Sequence, residues 1–175
     1  INSILKSINQ AKKNFKNVSF KVIIVDHNSK EADLSRIKKL LKNSEISNDL
    51  LNLDLTEFKP NIKATNEENK IVTDNQISNM SNIHMSLNIS KKFNDLIYFV
   101  EDDYIHEINA VSEMIFAYER IASQVGSELI MCPTDYPFLY TKAENTQIYL
   151  GEKYHWRKIN ETLCTFLTSK TIINN

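Results

Sequence analysis

Three short strand-like runs, at residues 22–25, 96–100 and 128–132, are apolar apart from Glu128, and each gives way abruptly to polar side chains. Their β-branched and aromatic composition is typical of strands buried in a sheet. In open α/β sheets, ligands bind beyond the carboxyl ends of the strands, so the groups that follow the runs are candidate site residues. In chain order, these groups are Asp26-His27-Asn28, Glu101-Asp102-Asp103 and Thr134-Asp135-Tyr136.

Helical periodicity separates the apolar runs. Residues 54–75 are polar and predict a loop with one short strand near Ile71 and Val72, and residues 146–150 and 162–168 are weaker extended runs. This alternation predicts one α/β domain over residues 1–175, with a mostly parallel sheet flanked by helices. The segments with a helical pattern are residues 4–15, 32–41, 76–91 and 108–122.

The composition excludes several classes of protein. Hydrophobic residues make up 42% and charged residues 25% of the 175 residues, and the net charge is −1, so nothing argues for a nucleic-acid partner. No apolar run reaches the roughly 18 residues of a membrane span. Only 2 glycines are present, which excludes glycine-rich phosphate loops. Cys132 and Cys164 lie in apolar stretches and are expected to be buried thiols.

The triplet Glu101, Asp102 and Asp103 needs a physical explanation, because adjacent carboxylates repel one another unless solvent or a cation relieves them. One interpretation is a solvated loop whose aspartate caps the next helix. The other is a site for Mg²⁺ or Mn²⁺, which accept carboxylate oxygens and often keep water and substrate phosphates as further ligands. The triplet alone does not decide between them.

The order of several motifs adds a resemblance. The stretch VEDDY, after an upstream VDHNS, resembles the nucleotide-sugar-binding half of a GT-A glycosyltransferase, family 2-like, and its "DXD" motif. MCPTDYPFLY and HWRKINETLCTFL resemble later segments of a subgroup of these enzymes. The matching stretches span most of residues 20–168. The resemblance implies a Rossmann-like GT-A sandwich and a metal-dependent transfer of sugar from a nucleotide-diphosphate donor to an acceptor hydroxyl, on a glycan or another molecule.

The resemblance also assigns roles to residues of the acidic triplet and the first strand end. Asp103 would bind Mn²⁺ or Mg²⁺ directly, with Asp102 beside it as a further metal or donor contact. Glu101 would lie near the metal's waters, the ribose or the sugar. Asp26 would contact the nucleotide base or ribose, together with Asn28 and Ser29.

Three later residues complete the predicted site. Trp156 would offer an apolar platform to the donor sugar, and Arg157 would neutralise phosphate with its forked guanidinium. Asp135 is a candidate general base on the acceptor side. The simpler interpretations are a core tryptophan beside a surface arginine, and an aspartate that only stabilises its loop.

The sequence also departs from the family. Phe138-Leu139 replace a polar pair, and no strand precedes residue 4 to hold the nucleotide. The usual catalytic carboxylate would follow residues 162–168, where no acidic residue remains. We therefore expect a fragment truncated at both ends, from a cytoplasmic protein that is peripheral to a membrane through segments outside this sequence.

Other classes of protein remain open. The alternatives are a nucleotidyltransferase, for which a glycine-rich basic loop would be needed, and a non-catalytic module that binds a nucleotide sugar. A phosphoacceptor receiver domain also places acidic side chains at strand ends. The long polar segment at residues 54–75 fits that domain poorly.

Overall fold

The computed structural model describes residues 1–58, 62–134, 136–141 and 146–175. The chain divides into two compact units, one formed by Ile1–Phe20 with Phe93–Asn175 and the other by Lys21–Lys92. Within the described residues, no helix is both long and apolar enough to cross a membrane. In chain order, the elements are α1 (Asn2–Asn14), β1 (Lys21–Asp26), α2 (Glu31–Asn43), β2 (Ser47–Asn52), α3 (Leu55–Phe58), α4 (Asp74–Ser90), β3 (Leu96–Phe99), α5 (Ala110–Val125), β4 (Ile130–Met131), a 3₁₀ helix (Pro137–Tyr140), β5 (Ile148–Leu150), β6 (His155–Arg157), β7 (Phe166–Ser169) and α6 (Lys170–Ile173).

The unit at Lys21–Lys92 contains a two-stranded parallel sheet. Its strands β1 and β2 pair from Lys21 opposite Ser47 to Asp26 opposite Asn52. Helix α4 begins with a capping box, in which the Thr73 hydroxyl accepts the backbone N–H of Gln76 and the Gln76 side chain accepts the backbone N–H of Thr73. A short polar signal in the sequence therefore defines the start of the helix that carries Ser78 and Asn82.

The other unit packs α1 against α5. Its core contains Leu5 and Ile8 from α1 and Met114 and Tyr118 from α5, all of which are buried. The hydroxyl of Ser7, which is fully buried, accepts the backbone N–H of Val111 at 3.0 Å. The bond satisfies one of the amide groups at the start of α5 that have no partner within the helix.

The sheet of this unit has the order β3-β7-β4, and β7 is antiparallel to both neighbours. Leu96 pairs with Ser169, and Phe99 pairs with Phe166, whose ring lies 4.9 Å from that of Phe99 between centroids. Since β3 and β4 both oppose β7, they run in the same direction. Their carboxyl ends therefore lie at one edge of the sheet, beside the amino end of β7.

The predicted fold class, a mostly parallel sheet in a Rossmann-like GT-A sandwich, is wrong. The described residues form three small sheets, of which only β1–β2 is parallel, while β3-β7-β4 and the hairpin β5–β6 are antiparallel. The prediction fails because the weak extended run at residues 162–168 overlaps β7, which lies between β3 and β4 and is antiparallel to both. The fold is mixed α/β.

Candidate functional site

The acidic triplet follows β3 directly. Glu101 comes two residues after the end of the strand, Asp102 and Asp103 form a turn, and all three residues are exposed. We call Glu101, Asp102 and Asp103 the acidic turn. The acidic turn lies at the carboxyl edge of the sheet β3-β7-β4.

Thr165, the residue directly before β7, holds the first residue of the acidic turn. Its side chain is fully buried, and its hydroxyl accepts the backbone N–H of Glu101 at 3.2 Å and lies 3.4 Å from Glu101 Oε2, to which it donates. The contact orients the Glu101 carboxylate toward the sheet. Asp102 and Asp103 remain exposed at the tip of the turn, so the three carboxylates have different surroundings.

The acidic turn fits one kind of metal site and not another. Among the described residues, no three His, Cys, Asp or Glu side chains come close enough together to hold a metal ion. The acidic turn therefore does not form a site in which protein side chains alone enclose a metal ion. Two adjacent exposed carboxylates, Asp102 and Asp103, do fit Mg²⁺ or Mn²⁺ that takes its other ligands from water and substrate phosphates.

Two tyrosines connect the acidic turn to the segment after β4. The Tyr104 and Tyr136 hydroxyls form a hydrogen bond with each other, and burial together with this bond raises the pKa of Tyr136. The Tyr136 ring stacks on Phe138, with centroids 5.6 Å apart and planes 21° apart. Asp135, the predicted general base, lies outside the described residues, between Thr134 and Tyr136.

Arg157 and Trp156 lie on the hairpin β5–β6. The Arg157 guanidinium lies over the Tyr140 ring, 4.2 Å from its centroid, as in a cation–π contact. The indole N–H of the half-buried Trp156 donates to Glu113 Oε1 at 3.0 Å. One edge of the predicted sugar platform is therefore occupied by a carboxylate of α5.

The predicted nucleotide contacts belong to the unit at Lys21–Lys92. Asp26 ends β1, and its Oδ2 accepts the backbone N–H of Ser29 at 3.3 Å, while Asn28 has a positive φ of 64°. The adjacent His27 Nδ1 lies 2.8 Å from the hydroxyl of Ser78 on α4. These contacts give the loop after β1 a defined conformation that keeps Asn28 and Ser29 exposed.

Two residues of importance were not identified from the sequence. Thr165 lies in an extended stretch in which threonine is ordinary, and its contact with Glu101 joins residues 64 positions apart. Glu113 was missed because an acidic residue in the first turn of a helix is ordinary. Gly151 could have indicated the contact with Glu113, because the chain has only 2 glycines and a glycine often marks a place where another group comes close to the backbone.

Comparisons with known proteins add no identification. No protein-family model matches the chain, no curated protein is similar to it in sequence, and no solved structure matches its fold.

Proposed function

We propose that this chain is a metal-dependent glycosyltransferase, which moves a sugar from a nucleotide-diphosphate donor to an acceptor hydroxyl. The observation that carries the proposal is the acidic turn, in which Thr165 holds Glu101 and leaves Asp102 and Asp103 exposed at the carboxyl edge of a sheet. The motifs around the turn and around Trp156-Arg157 resemble those of family 2-like glycosyltransferases.

The residues of the chain have separate roles in this proposal. Asp103 and Asp102 hold Mn²⁺ or Mg²⁺, which when bound stabilises the negative charge of the departing diphosphate. Arg157 neutralises a phosphate oxygen, and its stacking on Tyr140 restricts where the guanidinium can lie.

An exposed turn with two carboxylates is a weak metal site without substrate. We therefore expect the metal to bind together with the nucleotide diphosphate, because the phosphates supply ligands that the protein lacks. Binding of UDP or GDP should depend on Mn²⁺, and Mn²⁺ alone should bind far more weakly than in the presence of the nucleotide.

Calorimetric titration tests the proposal. UDP and GDP are titrated with and without Mn²⁺ into the wild type and into Asp103→Asn, with Asp95→Asn as the matched control. Asp95 is an exposed aspartate just before β3, at the strand end opposite the acidic turn. We expect metal-dependent binding of one nucleotide that is lost in Asp103→Asn and kept in Asp95→Asn. Absence of metal-dependent binding in the wild type would contradict the proposal, as would unchanged binding in Asp103→Asn.

A further inference from the structure

A buried carboxylate on α5 holds the hairpin β5–β6. Glu113 is only 3% exposed, and three N–H groups of the hairpin donate to it. Its Oε1 accepts the indole N–H of Trp156 at 3.0 Å and the backbone N–H of Glu152 at 3.2 Å, while its Oε2 accepts the backbone N–H of Lys153 at 2.8 Å. The carboxylate is thus enclosed by donors from a single structural element.

The loop of the hairpin is shaped around this carboxylate. A Cβ atom at Gly151 would overlap Glu113 Oε1 and Trp156 Nε1, so only glycine allows the loop to come this close. Arg120, also on α5, donates to the Gly151 carbonyl at 3.5 Å, and the Tyr154 hydroxyl donates to Glu107 Oε2 at 2.8 Å. Helix α5 and the residues before it therefore contact the loop at several points.

Burying Glu113 has an energetic cost. A carboxylate taken out of water is destabilising unless hydrogen bonds or opposite charges compensate it. The ion pairs among the described residues do not include Glu113. Its three N–H donors and the first turn of α5 provide the compensation. An apolar side chain at this position would avoid the desolvation cost but could not hold the hairpin through these donors.

The contact between Glu113 and the hairpin also affects Arg157, the predicted phosphate-binding residue. Trp156 and Arg157 are consecutive on β6, so their side chains project from opposite faces of the hairpin. Trp156 is directed to Glu113. Arg157 lies over Tyr140 on the other side and donates to the Leu139 carbonyl at 3.5 Å. A hairpin held at Trp156 therefore fixes the strand from which Arg157 projects.

We propose that Glu113 is a positioning residue, which holds Arg157 in place to receive a phosphate of the donor. The identity of that ligand rests on the proposed function, whereas the contact between Glu113 and the hairpin does not. Glu113 does not touch the substrate, and it acts through the hairpin alone.

The first experiment measures the contact itself. Trp156 is the only tryptophan, so its indole N–H gives a single resonance in a nitrogen-15 NMR spectrum. In Glu113→Gln, one oxygen is replaced by an amide nitrogen, so at least one of the three donors loses its acceptor whichever way the side chain turns. We expect hydrogen exchange at the affected N–H groups to be about tenfold faster or more. Glu119→Gln, at an exposed position of α5, should change nothing, and unchanged exchange in Glu113→Gln would overturn the proposal.

The second experiment asks whether Glu113 acts through Arg157. Affinity for the nucleotide with Mn²⁺ is measured for Glu113→Gln, for Arg157→Gln and for the double variant. We expect each single substitution to lower affinity, and the double variant to bind no more weakly than Arg157→Gln. Additive losses would overturn the proposal, since they would mean that Glu113 affects binding by another route. An effect of Glu113→Gln on stability alone would also overturn it.

A further variant covers the case in which Glu113→Gln does not fold. Trp156→Phe removes the indole N–H from the same contact and should lower the affinity for the nucleotide with Mn²⁺. Combined with Arg157→Gln, it should bind no more weakly than Arg157→Gln alone. If the wild type binds no nucleotide, the proposed function fails, and the hydrogen-exchange measurement still decides whether Glu113 holds the hairpin. If the wild type binds and Glu113→Gln binds equally well, the positioning role fails alone.

Discussion

The Thr165 hydroxyl forms hydrogen bonds with both the backbone and the side chain of Glu101. It accepts the backbone N–H at 3.2 Å and donates to a carboxylate oxygen at 3.4 Å. Thr165 is fully buried and directly precedes β7, which is the partner strand of β3. The acidic turn is therefore attached to the middle strand of its sheet by a side chain, and not only by its own backbone.

The first prediction concerns Thr165→Val, which keeps the shape of the side chain and removes the hydroxyl. The backbone N–H of Glu101 loses its acceptor, so we expect a loss of about 1–2 kcal/mol in the free energy of unfolding. Because the start of the acidic turn is no longer held, metal-dependent nucleotide binding should weaken as well. Urea denaturation and calorimetric titration measure the two effects.

Thr168→Val is the matched control. Thr168 is also buried on β7, and its hydroxyl donates to the Leu129 carbonyl at 2.9 Å, away from the acidic turn. We expect a similar loss of stability with unchanged nucleotide affinity. Equal losses of affinity in the two valine variants would show that Thr165 has no particular role at the acidic turn.

The elements of secondary structure were largely predictable, whereas the sheets were not. The β-branched run at residues 22–25 and the amphipathic pattern at residues 108–122 correspond to β1 and α5. Strand β2 was missed because its sequence SNDLLN contains Asn and Asp, which are poor strand formers, and pairing with β1 stabilises it instead. The direction of β7 depends on contacts with β3 and β4 that are distant in sequence, and local patterns do not report them.

The candidate site was predictable only in part. The abrupt change from LIYFV to carboxylates correctly placed Asp102 and Asp103 at an exposed strand end. The support from Thr165 and the burial of Glu113 depend on tertiary contacts across 64 and about 40 positions, respectively. The sequence predicts buried thiols for both cysteines, but Cys164 is exposed and Cys132 is half-buried.

The second prediction concerns Gly151→Ala. The new methyl group would overlap the Glu113 carboxylate and the Trp156 indole, so the loop must move and lose hydrogen bonds. We expect a loss of about 3 kcal/mol in the free energy of unfolding, from overpacking and from weakened bonds to a buried carboxylate. The fluorescence emission of Trp156 should shift in the folded state.

Gly126→Ala separates these effects from a general effect of losing a glycine. Gly126 ends α5 with a φ of 66°, and a Cβ there would meet open space. The left-handed conformation should cost about 1–2 kcal/mol, while the Trp156 emission stays the same. If both variants shift the emission equally, the close approach of Gly151 to Glu113 does not govern the environment of Trp156.

The third prediction concerns Cys164, an exposed residue whose sulfur is partly buried. Burial of its sulfur raises the pKa of Cys164, and the negative charge of Glu101 raises it further. In a Cys132→Ser background, a disulfide reagent at pH 8 should therefore react more slowly than with an unhindered thiol. Glu101→Gln should accelerate the reaction severalfold, and Glu119→Gln should not. An unchanged rate in Glu101→Gln would show that the two side chains do not interact in solution.

The fourth prediction concerns His106, whose pKa is lowered mainly by burial. Its Nε2 lies 3.0 Å from the hydroxyl of Tyr98, whose own pKa burial raises, so the neutral imidazole is favoured. The unfolded chain then binds a proton more readily than the folded protein, and stability should fall as the pH drops below about 6.5, the ordinary pKa of histidine. Urea denaturation between pH 5 and about pH 7.5 should show this slope. The slope should be smaller in His106→Gln. An NMR titration midpoint for His106 at or above the ordinary value would contradict the prediction.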